Sequence, residues 1–271
     1  MEVSHEVPLC FLKESLKWND YQYILPHLTD QYPQYKIHMR EYRQKPDSFI
    51  ICDNGLFEGI DHTINDLLEK IRWIQPDIFI VPDAWNDSVT TIRSAKHWIL
   101  NYAGKLPDGV NLMAVCQGKT IGELITTYQT LVDLGYKHIA FNHSSIAYQD
   151  EYGGEAGLPI LKAQMYGRME FIRRLVAHDI IRPTYYHHLL GCSLPQEFMA
   201  YGDWKFIKSV DTSNPILVGA EGVRYTDSGI NFKPKEKLAY YFEKDLSGQK
   251  EDIIFNVNKF KSYVRKNVIT V

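Results

Sequence analysis

Cysteine is scarce and scattered in this chain. There are four among 271 residues, Cys10, Cys52, Cys116 and Cys192. No two form a C-x-x-C pair, so neither a zinc knuckle nor a disulfide scaffold is expected, and reduced thiols suit a cytoplasmic protein. No window approaches the roughly 18 apolar residues of a membrane span, so no membrane association is expected. The first residues, "MEVSHEVPLC", lack a basic region followed by an apolar core, which predicts no cleaved leader. A basic surplus is missing too: the formal net charge is −3 and the pI about 6.4. Domains that bind nucleic acid are often basic overall, so any such task here falls to local patches. There is no low-complexity stretch, short repeat or obvious linker, which predicts one domain over residues 1–271.

What is there is alternation. Apolar runs read as strands at "VPLCFL" (from Val7), "SFIICD" (from Ser48), "DIFIVPD" (from Asp77), "VNLMAVCQ" (from Val110), "KHIAFNH" (from Lys137), "PTYYHHLLG" (from Pro183) and "FIKSVD" (from Phe206). Runs this uniformly apolar suit parallel strands covered on both faces. Between them lie helical patterns. Ile92, Ala95, Ile99 and Tyr102 share one face, with Asp87 or Ser88 as cap and Gly104 as stop. Ile121, Leu124, Ile125, Tyr128, Leu131 and Val132 form a second helical face closed by Gly135. "LPILKAQMYGRMEFIRRLVAHD" is a third, with Gly167 inside it.

Alternating strands and helices predict an α/β fold with a parallel sheet. The missing G-x-G-x-x-G argues against a dinucleotide site. A single (β/α)8 TIM-like barrel of about 250 residues fits best, with an open doubly wound sheet as the alternative. The eighth strand is expected in the C-terminal part, at "ILVGAEG" or "DIIFNV". "GVRYTDSGINFK" reads as a β-hairpin excursion, and "KEKLAYYFEKDL" and "NVNKFKSYVRKN" as C-terminal surface helices.

In such barrels the chemistry sits at the C-terminal strand ends. Those ends carry Asp53, Asp83, Gln117, His143, Gly191 and Asp211. Strand parity turns Cys52 and Cys116 outward if Asp53 and Gln117 turn inward. Each Asp alone is as well explained as a helix N-cap. Together, three carboxylates at one mouth repel, and raised pKa values follow, which suits acid–base work. Of His187 and His188, one must face the interior. With His143 and Asp83 they suggest a metal-dependent hydrolase, but no H-x-H or H-x-x-x-H spacing supports it. "MAVCQGKT" echoes a phosphate loop, yet Met113 replaces the required glycine, so a turn and helix start explain it.

At these residues the sequence resembles the tRNA-guanine transglycosylase superfamily over roughly Val7 to Lys233, and most of all its phage-type DNA 7-deazaguanine branch. The family's Asp-Ser-Gly-Gly segment corresponds to Asp53-Asn54-Gly55-Leu56, its base-recognition Asp to Asp83, and its Val-Gln-Gly to Cys116-Gln117-Gly118. Its Gly-Gly-Leu-Ala loop and following Glu correspond to Leu190-Gly191-Cys192-Ser193 and Glu197, and its nucleophile to Asp211 in "DTSNP". Asn54 replaces a serine. No cysteine follows Cys192, so the zinc site of the tRNA enzymes is missing, which favours DNA over tRNA.

The resemblance implies replacement of guanine in DNA by a 7-deazaguanine base such as preQ0, without a cofactor or metal. Asp211 is then the nucleophile and Asp53 the proton shuttle. Asp83, Gln117, Gly191 and Asn54 bind the base. Trp85, Tyr186 and Phe57 are candidate stacking partners. Backbone phosphates need cations, and Lys233, Lys235 and Lys237 beside the hairpin are the first choice. Arg173, Arg174, Arg182, Lys259, Lys261, Arg265 and Lys266 are further basic positions, otherwise solvated helix faces.

Overall fold

The computed structural model describes residues 1–56, 58–60, 62–153 and 158–265. Eight strands run parallel in one sheet: β1 (Glu2–Ser4), β2 (Gln22–Ile24), β3 (Ile50–Cys52), β4 (Ile78–Ile80), β5 (Asn111–Cys116), β6 (His138–Phe141), β7 (Tyr186–Leu189) and β8 (Ile207–Asp211). Ladder pairing follows the order β1-β8-β7-β6-β5-β4-β3-β2, with helices between the strands, so the sheet curls into a nearly closed (β/α)8 barrel. Among the described residues the one junction without a ladder is β1 against β2. There Asp20 closes the seam: its Oδ2 accepts from Val3 N–H at 2.9 Å and its N–H donates to Val3 O at 2.8 Å. Ser4 Oγ adds a bond from Tyr23 N–H at 3.1 Å.

Two helices form as their caps demand. α1 (Leu12–Trp18), α2 (Leu28–Gln31), α3 (Pro33–Arg43) and α4 (Ile64–Ile74) precede α5 (Ser88–Asn101), where Asp87 Oδ1 accepts from Thr90 N–H. α5 stops at Tyr102, short of Gly104. α6 (Ile121–Asp133) is capped by Thr120, whose Oγ1 accepts from Glu123 N–H while Glu123 Oε2 accepts from Lys119 N–H. That reciprocal cap is what "GKTIGE" encodes. Apolar strand residues that face outward pack on these helices, as Phe79 does on Trp98 with ring centroids 5.1 Å apart. α7 (Ile146–Gly153) lies on α8 (Ile160–Ala177), and Gly167 permits it: a Cβ there would stand 2.3 Å from Tyr148 Cβ.

Several expectations need correction. "VPLCFL" is no strand: Leu9–Phe11 is a 3-10 turn leading into α1, after Pro8 interrupts the extended run. The true first strand is "EVS" just before it. "ILVGAEG" lies in α9 (Asn214–Ala220), which has proline at its first turn, and "DIIFNV" in α11 (Lys250–Arg265), where Ile253, Val257 and Phe260 share a buried face. Gly219 lets α11 press close, since a Cβ would meet Ile253 Cα at 2.6 Å. α11 is therefore partly core rather than a plain surface helix, and the short α10 (Leu238–Tyr241) precedes it. The hairpin reduces to one antiparallel bridge, Thr226 to Gly229. Among the described residues no helix is long and apolar enough to cross a membrane.

Candidate active site

The strand ends deliver the anticipated side chains to one mouth. Asp53 and Asn54 follow β3, Asp83 follows β4, Gln117 follows β5, and Asp211 ends β8. None of the three aspartates caps the helix after it. α4 is capped by Thr63, α5 by Asp87, and Ser213 holds the N-cap position of α9. The capping explanation, reasonable for each Asp alone, therefore fails for all three.

One hydrogen-bonded array surrounds Asp83. Asn54 Nδ2 donates to its Oδ1 at 2.9 Å and Gln117 Nε2 to its Oδ2 at 2.6 Å. Gln117 is oriented in turn: its Oε1 accepts from Asn142 Nδ2 at 2.9 Å and from Asn86 N–H at 3.1 Å. Tyr148 O–H then donates to Asn142 Oδ1 at 3.1 Å. With both amides fixed by outer partners, the acceptor face of Asp83 is set before anything binds.

A second array surrounds Asp211. Its Oδ1 lies 2.9 Å from His188 Nε2 and accepts from Gly191 N–H at 3.2 Å. Tyr23 stacks on His188 at 6.0 Å. The Gly191 loop is held from below by Arg168, which is fully buried. Arg168 Nη1 donates to Leu190 O at 3.0 Å, Nη2 to Gly191 O at 3.1 Å, and Nε to Glu197 Oε1 at 2.6 Å. Tyr201 O–H also donates to that Glu197 oxygen.

The electrostatics are those of crowded acids. Burial, then the field of Glu58 and lesser fields from Asp211 and Asp83, push Asp53 well above the usual carboxylate range. Glu6, just beyond β1, is pushed up as strongly, by burial and then by Asp211, Glu58 and Asp53. Glu58 is raised by desolvation although its side chain reaches solvent. Asp83 is also raised by burial, less so because Gln117 and Asn54 stabilise its charge. Each of Asp53, Glu6 and Glu58 thus lies close enough to Asp211 to feel its charge.

The remaining candidates divide. Lys233 is half-buried, with Nζ 3.3 Å from His143 Nε2, so it does not share a solvent face with the exposed Lys235 and Lys237. Lys237 sits close enough to lower the Glu58 carboxyl. Trp85 is 61% exposed, with Nε1 donating to Ser144 O, whereas the Tyr186 hydroxyl bonds Ser209 inside the barrel. Arg173 pairs with Glu170, and Arg174 with Glu170 and Glu151. Lys259 pairs with Asp227, and Lys261 and Arg265 with Asp20. Arg182 is exposed, and its backbone N–H donates to Tyr128 O–H. Phe57 and Lys266 lie outside the described residues. The histidines weighed as metal ligands are dispersed: His187 bonds Tyr128, His188 faces Asp211 and His143 faces Lys233. Among the described residues no group of three or more His, Cys, Asp or Glu could hold a metal ion.

One cavity borders the site and a larger one lies away from it. One, bordered by Glu6, Tyr23, Tyr35 and Leu238, offers about 10 Å³, no more than one water needs. The other, about 300 Å³, opens between α3 and α4 at the opposite end of the barrel. Its Arg40, Arg43 and Arg72 all lie in last helical turns, where they offset helix dipoles. Cys52 and Cys116 are buried, with thiols pushed up by burial, which makes them inert packing groups.

Sequence reasoning missed four contributors. Glu6 follows a strand too short to notice, Asn142 stands next to the His143 that drew attention, Arg168 is hidden in α8, and the His188–Asp211 contact joins two strands. The chain matches no protein-family model and no curated protein.

Proposed function

We propose that the protein exchanges guanine in DNA for a 7-deazaguanine base, such as preQ0, through a covalent intermediate on Asp211. The observation that carries this reading is the gathering of Asp53, Asp83 and Asp211 at one barrel mouth with none of them serving as a helix cap. An Asp211 oxygen attacks C1′ of the target nucleotide. The C1′–N9 bond breaks, its electron pair goes to guanine, and protonated Asp53 supplies the proton. The incoming base then returns its N9 proton to Asp53 and attacks C1′, which releases the Asp211 carboxylate. Two inversions give net retention. A shuttle must hold a proton near neutral pH, and the raised Asp53 suits that duty.

The guanine edge presents two adjacent donors, N1–H and the 2-amino group. Asp83 offers one oxygen to each, since its bonds from Asn54 and Gln117 leave lone pairs on both. Gln117 Nε2 has a second N–H for O6. The purine needs far more space than the single-water cavity beside Glu6, so binding must part the side chains over the mouth. The target nucleotide must also leave its stack. Lys235 and Lys237, both exposed on the rim, are the cations for its phosphates.

The test is label release. The protein is incubated with guanine-labelled DNA or tRNA and preQ0. Release from DNA supports the reading, release from tRNA alone moves the substrate to RNA, and exchange by Asp211→Ala would falsify the nucleophile.

A further inference from the structure

Between β7 and β8 the register slips. His187 pairs with Ile207, but His188 pairs with Ser209, so Lys208 is the extra residue and points to solvent. This bulge aligns two alternating pairs across the strands: Tyr186 and His188 on β7, Ser209 and Asp211 on β8. Their polar atoms form one zigzag. Tyr186 O–H donates to Ser209 Oγ at 2.8 Å, Ser209 Oγ lies 2.7 Å from His188 Nδ1, and His188 Nε2 lies 2.9 Å from Asp211 Oδ1. His188 is 0% exposed.

The direction of this chain follows from donor counting. Asp211 as a carboxylate only accepts, so His188 Nε2 must carry a proton. Ser209 Oγ receives the Tyr186 proton and therefore has its own to give. Of the two acceptors beside Ser209, the Tyr21 oxygen is in no hydrogen-bond geometry among the described residues while His188 Nδ1 lies at 2.7 Å, so the Ser209 proton goes to Nδ1 and His188 is a neutral Nε2–H imidazole. We propose that His188 is a positioning residue for Asp211. With Gly191 N–H it occupies Oδ1 and assigns attack to Oδ2, once the Glu6 carboxyl that also hydrogen-bonds Asp211 gives way to substrate, and Tyr186 and Ser209 hold Nδ1 as an acceptor. The other groups facing His188 are the Tyr23 ring from β2, and, across Asp211, the Glu6 carboxyl. The kinetic part of this inference rests on the transglycosylase reading; the tautomer does not.

Two measurements on the full chain test it. Nitrogen-15 ring spectra, with His188→Gln to assign the signals, should show His188 in the Nε2–H form at pH 7, and Ser209→Ala, which removes the donor at Nδ1, should shift the Nδ1 signal while Nε2 keeps its proton toward Asp211. An Nδ1–H form, an imidazolium, or an unchanged spectrum in Ser209→Ala overturns the proposal. In single-turnover formation of the sugar adduct, Ser209→Ala and Tyr186→Phe should slow the covalent step about tenfold with KM unchanged. His188→Gln, which keeps an N–H near Oδ1, should retain at least tenfold more rate than His188→Ala. Equal rates for those two variants overturn the positioning role. If the unmodified protein forms no adduct, the function falls, and the spectra alone decide the tautomer.

Discussion

Asn54 and Gln117 grip Asp83 from two sides, one amide N–H on each carboxylate oxygen, at 2.9 and 2.6 Å. A carboxylate is the only side chain of this size that accepts on both atoms. In Asp83→Asn one amide must confront another, donor against donor. The expected loss is about 1–3 kcal/mol of stability, read by urea denaturation, with guanine affinity falling at least tenfold in a binding titration.

The crowded acids make stability depend on pH with a definite sign. Asp53 and Glu6 have folded-state pKa values raised above their ordinary 3.8 and 4.5. Each therefore favours the fold in acid, and that contribution is lost as pH rises from the ordinary value through the raised one. Asp53→Asn and Glu6→Gln, which cannot ionise, should each raise Tm by a few degrees at pH 8, with the gain vanishing toward pH 3. Calorimetry at both pH values checks this, and a gain confined to low pH would contradict the assigned direction.

Arg168 and Glu197 separate stability from function. Both side chains are fully buried, and Glu197 Oε2 has no hydrogen-bond partner among the described residues. Arg168→Met alone strands the carboxylate and should cost about 3–5 kcal/mol. Adding Glu197→Leu should recover most of that loss in thermal unfolding. Base exchange should stay low in the double variant, because the Leu190 and Gly191 carbonyls have lost their anchor and Gly191 N–H its aim at Asp211.

Gly167 sits mid-helix, where alanine normally adds about 1 kcal/mol. Here the added carbon would fall 2.3 Å from Tyr148 Cβ. Gly167→Ala should destabilise the protein by about 1–3 kcal/mol in denaturant melts despite its better propensity. The glycine that weakened the helical pattern in the sequence is what lets α7 and α8 meet.

The barrel was legible where strands were long or uniformly apolar, as in "NLMAVC" and "IFI". It was illegible at β1 and β2, three-residue strands broken by polar residues, "EVS" and "QYI", unlike the all-apolar "IIC" and "IFI" of β3 and β4. That gap sent the search for an eighth strand to the wrong end of the chain. Asp53, Asp83 and Asp211 stood out because a carboxylate ending an apolar run conflicts with burial. Glu6 did not, since the strand before it went unseen. Strand parity puts one of His187 and His188 inside, but the partner of that histidine depends on the slip at Lys208, which has no mark in the sequence.

The ring's own closure ties its first strand to its last. Among the described residues the only ladder partner of β1 is β8, and Asp20, which seals β1 to β2, is itself clasped by Lys261 and Arg265 near the end of α11. During synthesis the first strand thus has no ladder to join until about two hundred further residues have been made. The acid-lined mouth, which needs Asp211 beside Glu6, therefore forms only after the last strand of the ring has been made.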